Sequence, residues 1–228
     1  MFRLILKLRY LGALFAIVAS FPLFLVSARA DAIDDYLQRQ MQKNHIPGLS
    51  LAVVREGKIV KIKGYGMANL EWEQPATPDT TFQIASSTKP FTGTALMRLV
   101  EDGKLSLEDK ISKYLPDAPA AWQNITIRQL AVHSSGITNK VQANRNASIE
   151  EFVKAAYPLP LEYEPGSKSA YGLTDFIVLT HILEKVSGQT LTNLLNDRIF
   201  KPFGMSGTQF EFALENGPLR SANVIKKR

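Results

Sequence analysis

Between Asp31 and Asn44 the apolar residues Ile33, Tyr36, Leu37 and Met41 recur at helical spacing, which predicts an amphipathic helix. His45-Ile46-Pro47-Gly48 ends it. The period then drops to two: Leu49, Leu51 and Val53 alternate with Ser50 and Ala52, and beyond Arg55-Glu56-Gly57-Lys58 Val60 and Ile62 alternate with Lys61 and Lys63. This predicts a β-hairpin with Val60 and Ile62 turned to a core. Gly64, Gly66 and Glu73-Gln74-Pro75-Ala76-Thr77-Pro78 read as a loop.

After an extended segment, Thr80 to Ala85, helical spacing returns with Phe91, Ala95, Leu96, Leu99 and Val100 as the inward stripe, Pro90 in the tolerated first turn and Gly103 as the stop. Thr126 with Gln129 and Ser148 with Glu151 have capping-box spacing and mark two further helix starts. Phe176, Leu179, Leu183 and Val186 define a helix from about Asp175 to Ser187 that Gly188 ends; another starts near Thr190 and finishes before Pro202. The regular elements from Ser86 to Pro202 are thus almost all helical, a helical subdomain beside a sheet. A lone hairpin is marginal, and Phe210, Phe212 and Leu214 give the only later strand pattern. The sheet is therefore expected to be incomplete in this chain.

Composition changes the picture at one end. Arg3, Lys7 and Arg9 precede an apolar run from Leu11 to Val26, and Ala28-Arg29-Ala30 offers a small-x-small cleavage site. Residues 1–30 are expected to be a signal peptide, with an uncleaved membrane anchor as the alternative, and 31–228 one domain in the periplasm or secreted. The net charge of +6 includes four basic and no acidic residues in that segment, leaving +2 beyond Ala30, so no nucleic-acid face is indicated. With no cysteine, an exported chain must be held by its core. Three histidines and no thiolate give few ligands for a metal, and no metal or cofactor is expected.

The chemistry centres on Ser86-Ser87-Thr88-Lys89. A serine and a lysine three residues apart on a helix share a face, so a hydroxyl and an amine stand one turn apart. The pair alone is weak, because serine and lysine are common. Its surroundings are longer: Thr81-Phe82-Gln83-Ile84-Ala85 before, Pro90-Phe91-Thr92-Gly93-Thr94-Ala95 after, and then Leu99 to Leu107. Here the chain resembles the serine β-lactamase and penicillin-binding protein superfamily, in its class C β-lactamase, D-alanyl-D-alanine carboxypeptidase and esterase branch.

The resemblance runs from about Ile33 to Thr208 and implies an α/β fold of α+β type, an antiparallel sheet flanked by helices plus an all-helical subdomain. It implies that Ser86 is the acylated nucleophile and Lys89 its partner. The family's Tyr-x-Asn falls on Tyr171-Gly172-Leu173, so Tyr171 would shuttle the proton, with no cofactor. Leucine neither donates nor accepts where the family has asparagine, which tilts the expected substrate from amides and β-lactams toward esters. The family's Lys-Thr-Gly is not in the sequence. The expectation is an exported serine hydrolase acting on a small-molecule or peptidoglycan-derived ester or amide. The alternatives are a non-catalytic cell-wall or penicillin-binding relative, or a fragment of a longer hydrolase. His133 suggests a Ser-His-Asp set, but no Gly-x-Ser-x-Gly elbow exists; His133 is expected to brace a turn, and His45 and His181 to be scaffold.

Overall fold

The computed structural model describes residues 31–144, 147–210 and 222–224. The segment 1–30, Phe212 and Leu214 lie outside them. The chain divides into two compact units, Met1–Gly48 and Leu49–Arg228.

In the first unit, helix α1 (Ala32–Lys43) is capped by Asp31, whose carboxylate accepts from the Ile33 N–H, and Asp34 and Asp35 lie in its first turn, where the helix dipole favours negative charge. His45, at φ 54°, ends it in the left-handed region. Of the predicted stripe only Met41 is buried; Ile33 and Tyr36 are exposed.

In the second unit, β1 (Gly48–Arg55) and β2 (Lys58–Asn69) form the hairpin. Glu56 and Gly57 both have positive φ, the type I′ geometry whose twist matches the strands. Two expectations fail here. Tyr65 is the buried side chain of β2, while Val60 (58% exposed) and Ile62 stand on the open side. Gly64 and Gly66 are not loop either: β2 continues through them to pair with β3 (Gln74–Pro75) in a sheet of order β1-β2-β3. A Cβ on Gly64 would lie 2.2 Å from the Ala76 carbonyl oxygen, so glycine here permits a close strand crossing.

A second three-stranded antiparallel sheet has the order β4-β6-β5: β4 (Phe82–Gln83) pairs with β6 (Ala222–Val224), which pairs with β5 (Thr208–Phe210). The segment leading into Ser86 is thereby held at its strand end.

The helical region comprises α2 (Lys89–Glu101), α3 (Ile127–Ala131), α4 (Ile149–Ala156), α5 (Thr174–Ser187) and α6 (Leu191–Leu195). The last element, expected as one helix up to Pro202, passes into a π turn at Asn196–Phe200. Both capping boxes are present in full, at Thr126/Gln129 and Ser148/Glu151. Gly188, at φ 70°, closes α5. Its burial is wider than the predicted stripe, because Ile177, Val178 and Ile182 are buried with Leu179 and Leu183. Leu99 of α2 packs into the same continuous core with no exposure. Each such leucine contributes about 1.5–3 kcal/mol of burial. An ion pair at 2.6 Å between Arg198 and Asp102 ties the π turn to the end of α2.

Candidate active site

Ser86 sits in a 3-10 turn, Ala85–Thr88, that runs directly into α2. Ala85 has φ 44°. A non-glycine residue in this region costs about 1–2 kcal/mol and persists only where its surroundings enforce it. That strain lies immediately before Ser86. Lys89 opens α2 on the same face, with Pro90 following in the first turn where a missing N–H is harmless. Burial of Thr92, Ala95, Leu96 and Leu99 fixes the helix, and with it the spacing of the serine and lysine.

The lysine ammonium donates to two oxygens: Lys89 Nζ is 3.0 Å from Ser86 Oγ and 2.8 Å from the Tyr171 hydroxyl. It also lies 4.8 Å from the centroid of the Tyr171 ring and 5.5 Å from that of Phe176. The hydrogen bond from Lys89, and secondarily the one from Ser86, lower the Tyr171 phenol pKa below its ordinary value. The three residues singled out from the sequence therefore converge on one cation. Tyr171, 66% exposed, and the exposed Leu173 leave the site open to solvent.

Tyr171 is brought there by a loop laid along the turn after α3. Gly166 N–H donates to Ser134 O at 2.7 Å, Ala170 N–H to His133 O at 2.9 Å, and Ser169 Oγ to Val132 O at 2.9 Å. The Tyr163 hydroxyl adds a bond to His133 O at 3.1 Å. Gly136, at φ 79°, lets the two segments meet, since a Cβ there would lie 2.1 Å from the Tyr163 carbonyl oxygen.

His133 is itself left-handed, at φ 59°. Its ring is 4.8 Å from the Tyr171 ring and 5.1 Å from that of Phe176, and Nδ1 is 3.3 Å from Asp175 Oδ2. Burial, with the nearby Lys89 charge, holds the imidazole pKa below its ordinary value. Burial also pushes the Asp175 carboxyl up to about 6, against the Ser135 hydroxyl that donates to it. Serine, aspartate and histidine do meet here, but the aspartate stands between the other two and Ser135 is fully buried. This is a buttress, not a nucleophile set.

Sequence reading missed two residues. Asp175 was legible only as the start of a helix. Asn139 gave no signal at all, yet its Oδ1 accepts from the N–H groups of Leu173 and Thr174 at 2.8 and 3.1 Å, capping α5 in place of Leu173, which has no capping side chain. A Cβ on Gly172 would fall 2.0 Å from the Asn139 amide nitrogen, so the glycine and this cap belong together. Among the described residues no group of three potential metal ligands occurs.

The family model described as Beta-lactamase matches residues 33–224. Protein flp of Staphylococcus aureus (strain MW2) is 33% identical over 188 residues, which is 78% of this chain and 38% of that protein. The chain thus spans well under half the length of this relative. Among solved structures, EstCE1, "a hydrolase with promiscuous acyltransferase activity", superposes with a TM-score of 0.69 at 25% identity, over 81% of this chain and 56% of its own. The D-amino acid amidase of Ochrobactrum anthropi SV3 does so with a TM-score of 0.68 at 28% identity, over 80% and 52%.

Proposed function

We propose that this chain, which belongs to the beta-lactamase family, is an exported serine hydrolase that cleaves its substrate through an acyl-enzyme on Ser86. The observation that carries this reading is the single ammonium, Lys89 Nζ, bonded to both the Ser86 and the Tyr171 oxygens. An ammonium in that place favours the Tyr171 phenolate, and a phenolate beside Oγ is a base for the serine proton.

In the proposed reaction Ser86 Oγ attacks the substrate carbonyl carbon while its proton passes to the Tyr171 oxygen. The tetrahedral centre collapses, the bond to the leaving group breaks, and Tyr171 returns the proton to that group. Water then attacks the acyl-serine ester as its proton passes to Tyr171, the bond to Ser86 Oγ breaks, and Tyr171 returns the proton to Oγ, which frees the acid and restores both Ser86 and the phenolate. Lys89 remains charged throughout and lowers the cost of the phenolate.

Esters are favoured over amides and β-lactams. The Leu173 side chain offers no hydrogen bond to an amide, and its backbone N–H is already committed to Asn139. The similarity to the hydrolase EstCE1 and to the D-amino acid amidase supports the general reaction. The basic, apolar and small-residue pattern of residues 1–30 supports export, which a mature N-terminus at Asp31 would test. The full chain should hydrolyse a p-nitrophenyl ester at least tenfold more efficiently than a penicillin, and Ser86→Ala should abolish both activities. Equal efficiency would sink the ester preference.

A second reading is a relative that acylates without turnover. Stoichiometric ester cleavage followed by arrest would select it.

A further inference from the structure

The geometry points to a positioning residue for Tyr171: the His133 ring, oriented by Asp175, forms the surface on which the phenol is set beside Lys89 and Ser86. It rests on the reading of Tyr171 as the proton carrier but reaches further, to what fixes that carrier. Tyr171 is on an exposed loop, and an exposed aromatic ring with two free torsions does not hold a hydroxyl to a few tenths of an ångström without a support.

His133 provides that support by two routes. Its carbonyl oxygen accepts from Ala170, the residue before Tyr171, and its ring packs at 4.8 Å against the Tyr171 ring. The backbone route would serve any residue at this position. The ring route needs histidine, and needs it turned. Asp175 Oδ2 at 3.3 Å from Nδ1 turns it, and Asp175 is fixed in turn by Ser135, whose Oγ also accepts from the Ile137 N–H at 2.9 Å. The position after α3 is one where glycine or asparagine would sit without strain. A histidine there, left-handed at φ 59°, is conformational cost retained for its side chain.

Among the described residues, Tyr171 and Phe176 pack against the ring with Lys89 over both of theirs, Asp175 lies at Nδ1, and Tyr163 reaches the backbone carbonyl with Lys168 over its ring. Asp175, the anion at 3.3 Å from Nδ1, orients the ring by charge. Since Asp175 is buried at the start of α5, its carboxylate is a poor choice for stability alone, and asparagine would satisfy Ser135 equally well.

The test is a tyrosine titration followed by NMR in the full chain labelled with 13Cζ-tyrosine, the Tyr171 signal being assigned by its loss in Tyr171→Phe. It requires no substrate, so it stands or fails apart from the hydrolase reading. In the wild type the Tyr171 midpoint should lie below that of free tyrosine. His133→Asn, which tolerates the left-handed backbone, and Asp175→Asn should each move it upward by at least half a pH unit. The double variant should move it no further than the larger single shift, because the two act as one unit. Parallel acylation by a p-nitrophenyl ester should slow at least tenfold, in kcat rather than KM. Folded variants, shown by unchanged circular dichroism, in which the Tyr171 midpoint stays at the wild-type value would overturn the assignment. So would additive shifts from two independent residues. A wild type that titrates as expected but is never acylated would refute the hydrolase reading and leave this one standing.

Discussion

The helical region from Lys89 to Phe200 and the hairpin sheet from Gly48 to Pro75 solve the same problem to very different depths. In the first, Leu99, Leu130, Leu179 and Leu183 are fully enclosed. In the second, Val54 is 61% and Val60 58% exposed, and Tyr65 is the one buried side chain from Gly48 to Pro75. The site belongs to the deep side: Lys89 opens α2, and Tyr171 rides on a loop bonded to the turn after α3. Precision at the Ser86 hydroxyl is therefore a property of helix packing, with β4 of the second sheet leading into the turn.

Breaking the deep side should cost most. Leu99→Ala should lower stability by about 2–5 kcal/mol, read from the denaturant midpoint, because a fully enclosed leucine leaves a cavity. A loss below about 1 kcal/mol would mean the helical core is looser than its burial indicates.

The next effect has the opposite sign. The Asp175 carboxyl is raised from 3.8 to about 6, so the folded chain binds that proton more tightly than the unfolded chain. The resulting stabilisation is complete below about pH 3.8 and gone above about pH 6. Asp175→Asn should therefore be more stable than wild type at pH 7.5, by on the order of 2 kcal/mol, with the gain vanishing toward pH 4. Stability would rise while Tyr171 is set less well, which separates support of the site from support of the fold. A variant less stable at pH 7.5 would show that the pair is held for folding instead.

Thr126→Ala removes one half of a capping box and should cost about 1 kcal/mol, measured by thermal unfolding. At the shallow end, Val60→Thr should change stability by less than about 0.5 kcal/mol. A larger loss would mean that the open face of the hairpin is covered in the folded protein.

What the sequence made legible follows the same division. Helix starts were readable because caps are local: Thr126, Ser148 and Thr190 each bond a backbone N–H three residues on. The Ser86–Lys89 pairing was readable because its spacing is that of one helical turn. The hairpin misled because alternation shows two faces without showing which is covered, and Val60 and Ile62 took the uncovered one. Gly64 read as loop because its need for glycine comes from the Ala76 carbonyl oxygen, twelve residues away. Asn139 and Asp175 were invisible for the same reason: each works on a partner more than thirty residues distant, at Leu173 and at His133 and Ser135.

In the proposed mechanism the Lys89 ammonium makes Ser86 a nucleophile with Tyr171 as its proton carrier. Intact-mass analysis of the full chain after brief exposure to a p-nitrophenyl ester tests it most directly. A single acyl adduct is expected, which peptide mapping places on Ser86, absent in Ser86→Ala and formed at least a hundredfold more slowly in Lys89→Ala and in Tyr171→Phe. An adduct on another residue, or acylation of Ser86 at the wild-type rate without Lys89, would contradict it.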